Sequence, residues 1–134
     1  MAYSTRADVE RWGGSDNVAK WGSLGPSDSA SVVEARITSM IASADAEIDG
    51  TLADTYTTPL SGGSVILNDI SAKLAAANLY YARGGEDTDE NGQTRNPVTK
   101  NEKTAREMLG RIVGRFVDLP GEQSLSGTYE TPHM

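Results

Sequence analysis

Seven apolar residues, Val33, Ile37, Met40, Ile41, Ala44, Ile48 and Leu52, recur at spacings of three and four. That is the period of an amphipathic helix, and an alternating strand would not produce it. Ser29 or Ser31 can cap this helix, which is expected from about residue 30 to Thr55. TTPLSGGS, residues 57–64, ends it, because proline disfavours helix in the residue before it.

Two further stripes repeat the period. Leu67, Ile70, Leu74, Ala77 and Tyr81 follow a possible cap at Ser64 and stop at Gly84-Gly85. Val98, Ala105, Leu109, Ile112 and Phe116 follow Asn96-Pro97, a cap and a first-turn proline, and end at Leu119-Pro120-Gly121. Upstream, Thr5 with Asp8 forms a capping pair for a short helix through Trp12, which Gly13-Gly14 stop. Ser15 is placed to cap a second short helix carrying Val18 and Trp21. The predicted fold class is therefore all-α. It is a small bundle of three main helices plus one or two short N-terminal helices, with an extended C-terminal tail. Residues 1–118 form the helical domain and 119–134 the tail.

The composition narrows what such a bundle can do. With 12 basic and 19 acidic residues, the chain is poorly suited to gripping a phosphate backbone, though it could surround DNA without holding it. It has no cysteine, which excludes disulfides, thiolate nucleophiles and sulfur-ligated metals. No apolar leader or membrane-length run is present, so the expectation is a soluble cytoplasmic product.

Four carboxylates crowd the middle of the first stripe: Asp45, Glu47, Asp49 and Asp54. At about 100° per residue, Asp45 and Asp49 fall on one side of the apolar stripe and Glu47 on the other. The acids therefore do not converge, and a solvated flank is the expectation. Asp45 and Asp49 are i,i+4 neighbours of like charge, which a cation from another helix or subunit could relieve. A carboxylate-bridged metal centre would want Glu-x-x-His pairs, and His133 in the tail is the chain's one histidine.

The loop 84–96 offers another decoy. Asp87, Asp89, Asn91 and Gly92 match the first half of a calcium-binding loop. Its ninth position is Arg95, however, and its twelfth is Val98, where a bidentate glutamate belongs. No phosphate-binding glycine loop, dinucleotide fingerprint or nucleophile elbow is present. No catalytic residue, metal ligand or cofactor is expected. Trp12 and Trp21 lack the interleaved basic residues of a base-stacking surface, so core or interface packing is expected. Tyr80 and Tyr81 are read as a helix edge at the core boundary.

Three segments carry a family resemblance: YSTRADVERWG at 3–13, AEIDGTLADTYTTPL at 46–60 and NDISAKLAAANLYYARG at 68–84. They resemble the phage Mu gp36-like proteins, which belong with the small head–tail connector (adaptor) proteins of tailed phages. The most specific part is Glu47-Ile48-Asp49 with Leu52, Tyr56, Pro59 and Leu60. Thr51 stands where relatives often carry an aromatic, and Thr55 where they often carry an arginine.

The resemblance implies a structural virion protein at the head–tail vertex. A helical subunit would form a homo-oligomeric ring, usually dodecameric, under the portal protein. The ring would extend the DNA channel, pass DNA without specific binding, and dock a stopper or tail protein. The acids of residues 45–54 would then serve as structural capping or pairing groups. The alternatives are another neck or tail-completion protein, stopper-like, or a helical metal-binding or enzymatic module. Helical periodicity argues against the β-barrel of a stopper, and the failed motifs argue against the module.

Two candidate surfaces follow. Glu86, Asp87, Asp89 and Glu90 would line the channel or its rim, where acids let a duplex slide. Leu119, Leu125 and Tyr129 would bind the portal or a neighbouring subunit. The last 17 residues include eight of Pro, Gly, Ser or Thr and have no core-forming pattern. Leu125 and Tyr129 share one face of an extended strand, as docking by strand addition or into a groove requires.

Overall fold

The computed structural model describes residues 2–23, 28–58, 60, 65–83, 97–114 and 119. Its regular elements are five helices: α1 (Arg6–Gly13), α2 (Ser15–Gly22), α3 (Ala30–Leu52), α4 (Val65–Ala82) and α5 (Pro97–Val113).

Helix α4 is the axis of the bundle and touches each of the other four. Its sequence explains why. Leu67, Ile70, Leu74 and Leu79 fill the core, and Ala72, Ala75, Ala76 and Ala77 are buried between them. A helix whose buried residues run all the way round must be covered on every side. The alanines let α1, α2, α3 and α5 approach its backbone closely. The sequence stripe identified one buried face of this helix and missed the others.

Helix α3 buries Ile37, Ile41, Ala44, Ile48 and Leu52, five of the seven residues of the expected stripe, while Val33 and Met40 pack against the core partly buried. Ser29 is its N-cap and accepts from the Val32 N–H at 3.3 Å. The helix ends three residues short of Thr55. The N–H groups of Thr55 and Tyr56 both turn back to the Leu52 carbonyl at 2.9 Å, closing the last turn. Across the bundle, α5 contributes Val98, Ala105, Leu109 and Ile112. Its expected extension through Phe116 lies outside the described residues, as do the caps expected at Ser64 and Asn96.

The two short helices share one glycine. Gly14, at φ 87°, closes α1 through its N–H to the Glu10 carbonyl and also occupies the N-cap position of α2. This corrects the expectation for Ser15, which is the first residue of α2 and not its cap. A positive φ is cheap only for glycine. At Gly13 an added Cβ would come within 2.9 Å of the Trp21 ring, so both glycines of the pair have a steric role. Trp21 packs edge-on against Tyr80 of α4, with ring centroids 5.3 Å apart. Trp12 lies under Lys73 Nζ, 4.4 Å from the ring centroid, and Lys73 also pairs with Asp69 at 3.1 Å. Both tryptophans are spent on packing, as expected.

Candidate functional site

The residues before α1 hold the most connected polar group in the molecule. Thr5 caps α1 in a full capping box: its backbone N–H donates to Asp8 Oδ2 at 2.8 Å, and the Asp8 N–H returns to Thr5 Oγ1 at 3.3 Å. With that turn fixed, Tyr3 and Ser4 lie across α3 and α4. Tyr3 is 4% exposed and Ser4 3%.

Asp45 receives this segment. The Tyr3 N–H donates to Asp45 Oδ2 at 3.0 Å, and the Ser71 hydroxyl donates to Asp45 Oδ1 at 2.6 Å. Ser4 and Ser71 hydroxyls are 2.6 Å apart. Ser71 has one proton and Asp45 takes it, so Ser4 is the donor in that pair. The Tyr3 hydroxyl donates to Asp49 Oδ1 at 2.5 Å and accepts the Leu60 N–H at 2.8 Å. Asn68 Nδ2 completes the clasp, reaching the Tyr3 carbonyl at 3.2 Å and Asp8 Oδ2 at 2.8 Å.

The electrostatics follow from this burial. Asp45 is 8% exposed and has no cationic side chain in an ion pair with it among the described residues. Burial holds its carboxyl above the usual carboxylate range against the two hydrogen bonds, and the neighbouring Asp49 charge adds to the rise. Burial and the bond to Asp49 likewise push the Tyr3 phenol up, well above its ordinary value. Asp8 goes the other way. Burial raises it, but donation from Asn68 and Thr5, with Arg11 nearby, outweighs burial and leaves it lowered.

The crowded carboxylates therefore have separate structural tasks. The solvated flank expected for Asp45 is corrected: it is buried, because the N-terminal segment covers the side of α3 that the apolar stripe leaves open. Asp49 caps the Tyr3 hydroxyl. Glu47, on the opposite side of α3, pairs with Arg106 of α5, which also holds Glu102 at 3.1 Å. Asp54 is exposed in the turn after α3. The relieving cation reaches Glu47, while Asp45 and Asp49 are relieved by neutral donors. Sequence reasoning missed Tyr3, Ser4, Asn68 and Ser71. A tyrosine two residues before a helix cap, and a serine on the alanine-rich side of α4, were the available signals.

Beside this clasp a cleft of about 490 Å³ lies between the N-terminal segment and the outer side of α3. Thr38, Ile41, Ala42 and Ala46 line it, together with Asp45 and Asp49. Among the described residues no group of three or more His, Cys, Asp or Glu side chains converges as a metal site would require. None of their helices is long and apolar enough to cross a membrane.

Leu119, expected on a partner surface, is 3% exposed within this chain's own core, and its N–H donates to the Tyr56 hydroxyl at 3.1 Å. It is an anchor of the fold, so the expected partner-binding role is corrected for this residue. Leu125 and Tyr129 lie outside the described residues, as do Glu86, Asp87, Asp89 and Glu90.

Residues 3–130 match the family model described as Bacteriophage Mu, Gp36. No curated protein matches the chain significantly.

Proposed function

The chain belongs to the Bacteriophage Mu, Gp36 family, and from that membership we propose that it is a structural, non-enzymatic virion protein, a head–tail connector. Copies form a ring beneath the portal protein, continue the DNA channel, and present a surface to the next stopper or tail component. The observation that carries this reading is the family match from residue 3 to residue 130. It includes Tyr3 and the clasp that sets the first helix on the bundle. The geometry supports it in a second way: three of the four crowded carboxylates, Asp45, Glu47 and Asp49, are occupied in structural hydrogen bonds and an ion pair.

A conduit for DNA works best when its wall does not hold phosphates. The acidic loop with Glu86, Asp87, Asp89 and Glu90 is proposed to line the lumen or its rim, where it repels the duplex. Leu125 and Tyr129 in the tail are proposed to dock on the portal or a neighbouring copy. The dodecameric count belongs to the same proposal. A particle map of the head–tail vertex tests it. Density for this bundle in a ring below the portal supports the connector role, and a vertex lacking it refutes the role.

A further inference from the structure

The charges of this acidic chain are unevenly placed. Residues 95–115 carry six of the 12 basic residues and two of the 19 acidic ones. Within that stretch, Lys100, Lys103, Glu107 and Arg111 are exposed on the side of α5 that faces away from α4, three cations to one acid. The ion pairs of the described residues take up Arg6, Arg11, Arg36, Lys73 and Arg106 but none of these three cations. Gly110 sits among them in the helix interior, exposed, and a Cβ built there meets nothing within 4 Å. Glycine inside a helix costs about 1 kcal/mol relative to alanine. Nothing in the packing of the described residues explains that cost, whereas close approach by another surface would.

The complementary surface is the cleft. Half-buried Asp49 lines it, with the buried Asp45 in its wall, over an aliphatic floor, and among the described residues its lining cation, Arg6, is paired with Glu10 at 3.0 Å and Glu34 at 2.5 Å. The α5 face cannot reach the cleft within one chain. Helix α5 meets α3 through Glu47, and a residue two positions away on a helix is turned by about 200°. Glu47 and the pair Asp45, Asp49 are therefore on opposite sides of α3.

We propose that the outward face of α5, with Lys100, Lys103 and Arg111, docks on the acid-lined cleft of a second copy of this chain. The two patches differ and lie on different sides of the subunit. Their contact is therefore heterologous, the kind that propagates around a ring or along a filament. The inference rests on the ring reading above and names the contact that would build it.

The absence of cysteine makes the contact easy to trap. The full-length double variant Ala46→Cys with Lys103→Cys, one thiol in the cleft and one on α5, is treated with a short bismaleimide at high protein concentration. A ladder of covalent oligomers is expected, with monomers only from either single variant mixed with unmodified chain. Adding Arg111→Glu and Lys100→Glu should cut the ladder about tenfold, the size of two lost rim pairs plus like-charge repulsion. Their exposed positions leave helicity unchanged by circular dichroism. Three results would overturn the contact: a double-cysteine chain that stays monomeric, oligomers linked equally by one cysteine alone, or charge reversals that spare the ladder but abolish duplex DNA binding. None of the three removes the ring reading, which falls only if the virion vertex lacks a ring of this protein.

Discussion

The backbone N–H of Tyr3 donates to the carboxylate of Asp45 at 3.0 Å, tying the start of the chain to the middle of α3 across 42 residues. The bond converts a helical acid into the acceptor for a segment that has no regular structure of its own. A buried N–H without a partner is costly, so each end of this bond needs the other.

Asp45→Ala is expected to destabilise the chain by about 1–3 kcal/mol, because it leaves the buried Tyr3 N–H without an acceptor and Ser71 with Ser4 as its one remaining partner among these bonds. Asp45→Asn keeps an acceptor for Tyr3 and a polar partner for Ser71, so it should change stability by less than about 1 kcal/mol near neutrality. The pH dependence separates the two effects. The folded carboxyl is raised above the 3.8 of a free aspartate. Its contribution is therefore full below that unfolded value and is lost as pH rises through the folded one. Urea titrations should show Asp45→Asn gaining on the natural chain between about pH 4 and neutrality. A difference that stays constant with pH, or that shifts in favour of the natural chain as pH rises, contradicts a buried carboxylate held by neutral donors.

Tyr3→Phe keeps the buried ring and removes the hydroxyl that joins Asp49 to the Leu60 N–H. The expected loss is about 1–3 kcal/mol, most of it from the orphaned N–H. The raised phenol makes the same sign argument at high pH. The natural chain should lose stability as pH climbs past the ordinary tyrosine value of 10.0, and Tyr3→Phe should not lose that increment. Thermal melts on both sides of that pH measure it.

Arg106→Ala is the contrasting case. Its side chain is 45% exposed while bridging Glu47 and Glu102. Exposed pairs are worth about 0–1 kcal/mol and are screened by salt. The variant should cost no more than that, and less at high salt. A larger loss in a chemical denaturation curve would mean that the α3–α5 link is worth more than its exposure implies.

How far the sequence could be read depended on whether each signal was local. The Thr5–Asp8 capping box and the stripe from Ile37 to Leu52 are written in residues a few positions apart, and both were legible. Asp45 was not. Its angle on α3 identifies a flank, but whether a flank meets water depends on what else folds over it. Here Tyr3 and Ser4 fold over it, held from α4 by Asn68 and Ser71. Leu119 was misread for the same reason. Flanked by Pro120 and Gly121 it looks like the start of a free tail, yet it returns to Tyr56 and the core.

Two helical glycines give opposite expectations. Gly13→Ala puts a Cβ within 2.9 Å of Trp21 and 3.0 Å of Val18, so it should destabilise by about 1–3 kcal/mol. Gly110→Ala has open space and should stabilise the isolated chain by about 0.5–1 kcal/mol. If the α5 face is an assembly surface, the same Gly110→Ala chain should melt higher and load less well onto heads. A rise in melting temperature with unimpaired loading would show that the glycine has no role in assembly.

The last prediction concerns where the fold stops and the tail begins. Truncation after Pro120 keeps Leu119, with its buried side chain and its bond to the Tyr56 hydroxyl. That chain should retain its helicity and melting temperature. Truncation after Asp118 removes one more structural residue and should cost about 2–4 kcal/mol, the burial of a leucine plus a hydrogen bond. The proposed portal contact makes a separate demand, because the chain cut after Pro120 has lost Leu125 and Tyr129. Two apolar side chains on a polar segment bind weakly alone, since ordering the segment costs entropy, and a ring presenting many copies would make them effective together. The shorter chain should therefore fold normally and fail to load onto DNA-filled heads. Sedimentation of heads with bound protein reads the loading, and a melt reads the fold. Normal loading by the Pro120 truncation would refute tail docking while leaving the bundle, and Leu119 within it, as described.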